Sequence, residues 1–497
     1  MRHSALHHTV ITATTLVLGC GASGAIAQPD VPASPIANVP SPQGVVIPQG
    51  EPLALRLDEA VALMLRHNRT VRSAYLQRVA ERFDLRASER AFIPQALIGT
   101  QIVTRRDAEG GASTDAVVST GVSWRTPVGT SVSFVWDQRQ SLHEGPDTGW
   151  GAATLSVSQP LRRGAGTDVN MAPLRIARLQ ERINQLQLQA TVSNEIAAVI
   201  LAYRALVQAQ EQTRLAELSL ERSQAILATN EALIEAGRMA AADIVQTESA
   251  VAGQELAVLQ ARQQQTSAQL ALLQRLAIDP GVNVIAIDTI EAERVPIDFD
   301  RALDYALSAR VDVLAQRQAL EQMRHSLIMA RNDRLLDVSV TASVTRFGDG
   351  DRFPAPLAGR TDYAAGLRVE IPIGDISRRQ NEIRAEMNVR TAELRQEDLV
   401  QGVHTQVRDA IQNVEASWRQ VEAAQRRQTL AERALDIQLE RLRFGRGSNF
   451  ETLSLQADLR AADTQALTAK IAYLNALTAL DQQIGSTLET WQVSLND

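Results

Sequence analysis

Apolar residues recur at spacings of four and three along two long stretches of this chain. Val192, Ile196, Val199, Tyr203 and Leu206 make one row, and Val400, Val403, Val407, Ala410 and Val414 make another. Such rows are the seam of a coiled coil and need partner helices to cover them. They predict helices from about Asp168 to Ala236 and from about Ile376 to Arg443, without an internal proline after Pro173. At 1.5 Å per residue each helix is about 100 Å long. The period changes to two in "ALIGTQIVT", "AVVSTGVSW", "SVSFVW" and "ATLSVSQPL", at about 95–160, and in "VSVTASVTRF" and "YAAGLRVEIPI", at about 337–373. Val, Leu and Ile alternating with Ser and Thr give a strand one oily and one wet face. Such strands fit a sandwich or a transmembrane barrel.

The pattern occurs twice. "LDEAVALMLRHNRTVRSAYLQ", from Leu57, lies over "FDRALDYALSARVDVLAQRQ", from Phe299, matching Asp58 to Asp300, Ala60 to Ala302, Leu65 to Leu307 and Val71 to Val313. "AGRMAAADIVQTESA", from Ala236, lies over "FGRGSNFETLSLQAD", from Phe444, matching Gly237 to Gly445 and Asp243 to Glu451. The chain is therefore a tandem duplication. Its halves, 53–280 and 281–488, each run helix, strands, very long helix, glycine turn and returning helix. A helix from Leu57 to about Phe92 stops at Pro94, and one from Phe299 to about Leu336 precedes the second set of strands. The fold class expected is mainly α, with long coiled-coil hairpins and a β-portion.

Composition narrows the function. A net charge of −7, with basic residues dispersed along the helices, leaves no polycationic face and predicts no nucleic-acid partner. Lys470 is the sole lysine, so no P-loop exists and no nucleotide hydrolysis through one is expected. After residue 28 no run of eighteen apolar residues occurs, so a membrane would be crossed by strands rather than helices.

The N-terminus has the form of an export signal over 1–27, with Arg2 ahead of a mostly apolar or small stretch, Thr9 to Gly19. Two cleavage readings stand. Val17-Leu18-Gly19-Cys20 resembles a lipobox, making Cys20 the lipidation candidate, whereas Ala25-Ile26-Ala27 fits an ordinary cut after Ala27. Cys20 is the only cysteine, which excludes a disulfide framework. The Pro-rich residues 28–52 read as a tether.

Chemistry-bearing motifs are few. Asp243 and Glu451 each follow a helix-breaking glycine at a helix start, where a carboxylate caps exposed N–H groups and suits the dipole. In several copies at the end of a tube, the same acids would form a ring favouring cations. "FGDGDRF", from Phe347, lacks the downstream glutamate of a calcium loop. His67, His143, His325 and His404 share no metal-ligand spacing. Neither a cofactor nor a catalytic triad is expected. Trp124, Trp136 and Trp150 fall at or near predicted strand ends, where an interfacial aromatic girdle would place them.

Over nearly everything after residue 53 the chain resembles the TolC family of outer-membrane efflux proteins. The resemblance is carried by the duplication, "RAFIPQ" before the first strands, "LSVSQPLRRGAG" ahead of the first long helix, and the paired turns Gly237 to Asp243 and Gly445 to Glu451. It implies a homotrimeric α/β-barrel channel-tunnel, with strands of three protomers closing one barrel in outer-membrane lipid and helices forming a periplasmic tunnel. It also implies a periplasmic adaptor and an inner-membrane pump as partners, in efflux or type I secretion. Three departures stand out. The helix-opening Asn-Pro of the family reads Asn68-Arg69 and Arg310-Val311; residues 95–160 are too long for two strands and suggest an added hairpin and more than twelve barrel strands; and Gly447, beside Arg446, occupies the place of an aperture arginine. The competing expectation is a non-conducting periplasmic coiled-coil scaffold with its strands in a soluble sandwich.

Overall fold

A computed structural model describes residues 53–106, 112–141, 149–237, 240, 244–350, 354–444 and 446–495, all within the unit 47–497. The expected signal, tether and Cys20 lie outside these residues.

The helical seams become two cores. Helix α4 (Ala172–Glu235) is returned by α5 (Ile244–Leu276), and α8 (Ser377–Arg443) by α9 (Asn449–Ile484). At 64 and 67 residues, α4 and α8 are each about 100 Å long. Val192, Ile196, Val199, Tyr203 and Leu206 all lie in the first core, with Leu272, Leu273 and Leu276 of α5. The second seam is shifted from its expected line. Val403, Val407 and Val414 are buried, but Val400 is exposed and Ile411 takes the inward place beside Ala410. A stretch of α4 is long and apolar enough by composition to cross a bilayer, against the expectation that no helix is. Its helix buries its seam in the first core, which explains that apolar character without a membrane.

The single helices expected from Leu57 to about Phe92 and from Phe299 to about Leu336 are each broken in two, without a proline at either break. Helix α1 (Leu57–His67) gives way to α2 (Arg69–Glu89) at Asn68, whose side-chain oxygen accepts from the N–H groups of Thr70 and Val71 at 2.8 and 3.1 Å. That cap supplies the stop a proline would otherwise enforce. In the second repeat α6 (Phe299–Ala309) meets α7 (Val311–Asp333) at Arg310. Arg310 does not cap through its side chain; its guanidinium pairs with Asp312 at 2.7 Å and donates to Gln483 O at 3.0 Å. Strands β1 (Leu53–Leu55) and β6 (Val284–Ala286) pair in parallel and bring the starts of the two repeats together. The Tyr203 hydroxyl lies 2.8 Å from both Leu55 O and Asp288 Oδ2, and burial with the neighbouring carboxylate pushes its pKa up.

The remaining strands form one antiparallel meander in the order β2 (Gln95–Arg106), β3 (Ala112–Arg125), β4 (Ser131–Ser141), β5 (Gly149–Pro160), β7 (Asp337–Gly350) and β8 (Thr361–Glu370). The first repeat thus supplies four strands and the second two, so the added hairpin of the sequence reading is β3–β4, inside the wall. Register keeps the two faces distinct across all six strands. Ala96, Val122, Phe134, Leu155, Val344 and Tyr363 form one cross-strand row, and Gln95, Ser123, Ser133, Ser156, Ser343 and Ala364 the next. Adjacent rows point to opposite faces. The turn between β3 and β4 is locked to the strand–helix junction: Gly129 has φ 97°, and a Cβ there would stand 2.2 Å from Gly164 O. Gly166 N–H donates to Val128 O at 3.1 Å in the same corner. Helix α3 (Thr167–Asn170) is a separate turn before α4, so the predicted helix from Asp168 is interrupted at Met171.

Candidate functional site

Two regions carry what chemistry the fold offers: the sheet and the hairpin tips. On the wet face of the sheet polar side chains bridge strands, with Ser133 and Ser156 hydroxyls 2.6 Å apart, Ser119 donating to Asp137 at 2.6 Å and Arg139 to Asp115 at 2.5 Å. On the opposite face Ile98, Val122, Phe134, Leu155 and Tyr363 are exposed. An exposed, continuous apolar face beside a satisfied polar one is the division expected of a wall between lipid and water.

The three tryptophans do not form the girdle considered above. Trp124 fits it, at the helix end of β3 on the apolar face, its ring N–H donating to Phe92 O at 2.9 Å. Trp136 instead sits in mid-strand, and its ring nitrogen is buried without a partner among the described residues. Trp150 shares the wet face with Phe347, the ring centroids 6.3 Å apart.

At the tips Gly237 closes α4 with φ 70°, its N–H donating to Ile234 O at 2.9 Å. Asp243 and Gly445, expected at the aperture, lie outside the described residues. Arg446 is exposed, and its backbone N–H donates to Arg441 O at 2.9 Å. Glu451 is in the first turn of α9, but its carboxylate forms no cap; it accepts from Gln438 Nε2 of α8 at 3.0 Å. Within the described protomer Arg446 and Glu451 form no ion pair. Gly447 packs so tightly on α8 that a Cβ would meet Leu442 N at 2.8 Å, which excludes an arginine there without moving the turn.

A buried polar seam just above the tips was missed in the sequence reading. Asn230 Nδ2 donates to Thr247 Oγ1 and to Asn449 Oδ1, both at 2.8 Å, joining α4, α5 and α9. Two turns further from the tip Gln456 Nε2 donates to Ser223 Oγ at 2.6 Å and to Ser219 O at 3.2 Å. Higher still, the guanidinium of Arg204 reaches Leu474 O at 2.6 Å and Thr478 Oγ1 at 2.7 Å. Burial brings the pKa of Arg204 down to about 10, against the attraction of Asp481. The signal was present, because Ser219, Ser223, Ile226 and Asn230 continue the four-three stepping of the α4 seam with polar residues. Among the described residues no group of acidic, histidine or cysteine side chains is arranged to hold a metal ion.

Comparison with known proteins agrees with this architecture. A family model described as "Outer membrane efflux protein" matches residues 302–486. The pyoverdine export outer membrane protein OpmQ of Pseudomonas putida is 24% identical over 314 residues, 61% of this chain and 64% of that protein, so the match spans less than two thirds of the relative's length. Among solved structures, the Campylobacter jejuni CmeC outer membrane channel superposes with TM-score 0.67 at 16% identity, over 87% of this chain and 86% of that one. The open-state Neisseria gonorrhoeae MtrE outer membrane channel does so with TM-score 0.66 at 17% identity, over 86% and 89%. At these identities the structural likeness is one of fold. The family match falls within the second repeat, and the likeness of fold extends over most of the chain.

Proposed function

We propose that the chain is the outer-membrane channel component of a tripartite efflux or type I secretion system. As a homotrimer it acts as a passive exit duct for small molecules or polypeptides, served by a periplasmic adaptor and an inner-membrane pump. The observation that carries this reading is the six-stranded sheet, apolar and exposed on one side and polar on the other, standing on helices about 100 Å long. A strand wall of that kind belongs in outer-membrane lipid, and helices of that length reach across a compartment. The scaffold alternative would require a second layer over Ile98, Phe134 and Leu155, and among the described residues these side chains are exposed.

In the same reading residues 1–27 are the export signal, with Cys20 the lipidated residue or Ala27 the cut, 28–52 a tether, and 53–280 and 281–488 the two repeats. The turns at Gly237 and Gly445 form the periplasmic aperture, where Asp243 and Glu451 line the entrance and Arg446 of one copy approaches Glu451 of another. The chain is a conduit rather than an enzyme. The name of the OpmQ relative makes a siderophore a cargo to test first. Fractionation and mass photometry in mild detergent test the whole: a detergent-extracted particle of three chains is expected, whereas release by high salt as a monomer with full helicity would favour the scaffold.

A further inference from the structure

We propose that β8 of one copy pairs with β2 of the next, so that the trimer closes a barrel of eighteen strands. This rests on the trimeric reading above, and goes beyond it in the joint, the strand number and the bore.

Both outer strands of the meander are open. Strand β2 has twelve residues and β8 has ten, and among the described residues neither has a second strand neighbour, whereas β3, β4, β5 and β7 are paired on both sides. Nearly all residues of both strands are exposed, Leu97 and Ile98 at 74% and 73% and Tyr363 at 78%. Open edges of this length and character are covered by pairing. The parity is right for a second copy: the strands alternate in direction, so with six per chain β8 and the next β2 run antiparallel, as every other pair in the wall does. The chemistry matches too. Arg105 of β2 and Asp362 of β8 stand near the same rim, distal to the helices, and register places both on the wet face.

The sheet also carries the stagger that closure needs. A cross-strand row that begins at Gln95, the first residue of β2 on the helix side, ends at Ala364, the fourth residue of β8 from the opposite rim. The hydrogen-bond direction thus climbs across the wall, and the strands of a closed barrel are tilted in that way. Six strands from each of three copies make eighteen. With strands about 4.8 Å apart and tilted about 40°, the backbone cylinder is about 36 Å across, against about 24 Å for twelve strands. At eighteen strands a barrel holds a wide aqueous lumen, and the hydroxyl-rich face fits such a lining.

The test uses the full chain with cysteines at the joint, on a background in which Cys20 is the sole native cysteine. Arg105→Cys with Asp362→Cys probes the distal rim, and Leu97→Cys with Glu370→Cys the helix side. A short bismaleimide should convert either double variant into a ladder of linked dimers and trimers, while each single variant stays unlinked. Cryo-electron microscopy of the unmodified protein in nanodiscs should resolve eighteen strands around the wall. Trimers that link in neither double variant, or a wall of twelve strands, would overturn the joint while leaving the channel reading standing. A monomer in mass photometry would instead remove the trimer on which both depend.

Discussion

Asn230, Thr247 and Asn449 decide how the two repeats are joined near the tip. All three are buried, and their side chains hydrogen-bond to one another. Removing one side chain leaves buried polar groups unpaired, which costs about 1–3 kcal/mol. Asn230→Ala should therefore lower the thermal midpoint by several degrees, while Asn230→Ala combined with Thr247→Val should cost less than the two single changes added together; additive losses in circular-dichroism melts would mean that the three do not act as one network. Asp481 offers a pH test. Burial raises its carboxyl pKa, opposed by Ser486 and Arg204. A carboxyl raised on folding favours the protonated form, so its charging cost is absent below the ordinary carboxylate value near about 4 and sets in as pH rises through the folded value. Asp481→Asn should raise the thermal midpoint at pH 7, with the gain vanishing by about pH 4; a gain that persists at low pH would place its origin elsewhere.

At the scale of elements, the six strands make a claim about facing that adjacent residues can test. Val118 and Ser119 are consecutive in β3, the first on the apolar face and the second donating to Asp137 on the wet face. An arginine facing lipid near mid-membrane costs about 2–4 kcal/mol, whereas one facing a lumen is tolerated. Val118→Arg should deplete the protein from the outer-membrane fraction, and Ser119→Arg should leave its level near normal; equal loss from both would argue against a wall with lipid on one side. Much of this element plan was legible in the chain. The four-three rows gave the long helices, and alternation gave all six strands, because both periods are set by backbone geometry and read from side-chain polarity alone. The helix breaks at Asn68 and Arg310 were passed over because neither carries a proline: Asn68 stops its helix by a local cap on Thr70 and Val71, and Arg310 acts through the distant Gln483. The polar seam at Ser219, Ser223 and Asn230 was passed over for a related reason: its residues keep the helical step but not the apolar character used to find it.

Residues 53–495 form a long helical stalk beneath a strand wall, and the proposed channel reading puts the entrance at the far end of that stalk. Glu451 is tied to Gln438 of its own α8, so its charge stays at the tip without acting as a cap. If three such carboxylates, with Asp243, ring the entrance, Glu451→Ala with Asp243→Ala should lower cation selectivity in planar bilayers, and Arg446→Ser should raise conductance. Both effects should shrink at high salt, because screening weakens exposed charges; unchanged selectivity and conductance with trimers intact would move the gate elsewhere. Gly447 was legible as a departure, but its cause was not: the close approach of the turn to Leu442 appears only in three dimensions.

The central claim is that this chain conducts, and single-channel recording of the purified unmodified protein in planar lipid bilayers tests it most directly. Stable, uniform current steps that favour cations are predicted, with the preference fading as salt rises. Trimers that bind to the bilayer yet give no steps at any voltage or salt concentration would contradict it and leave a scaffold in its place.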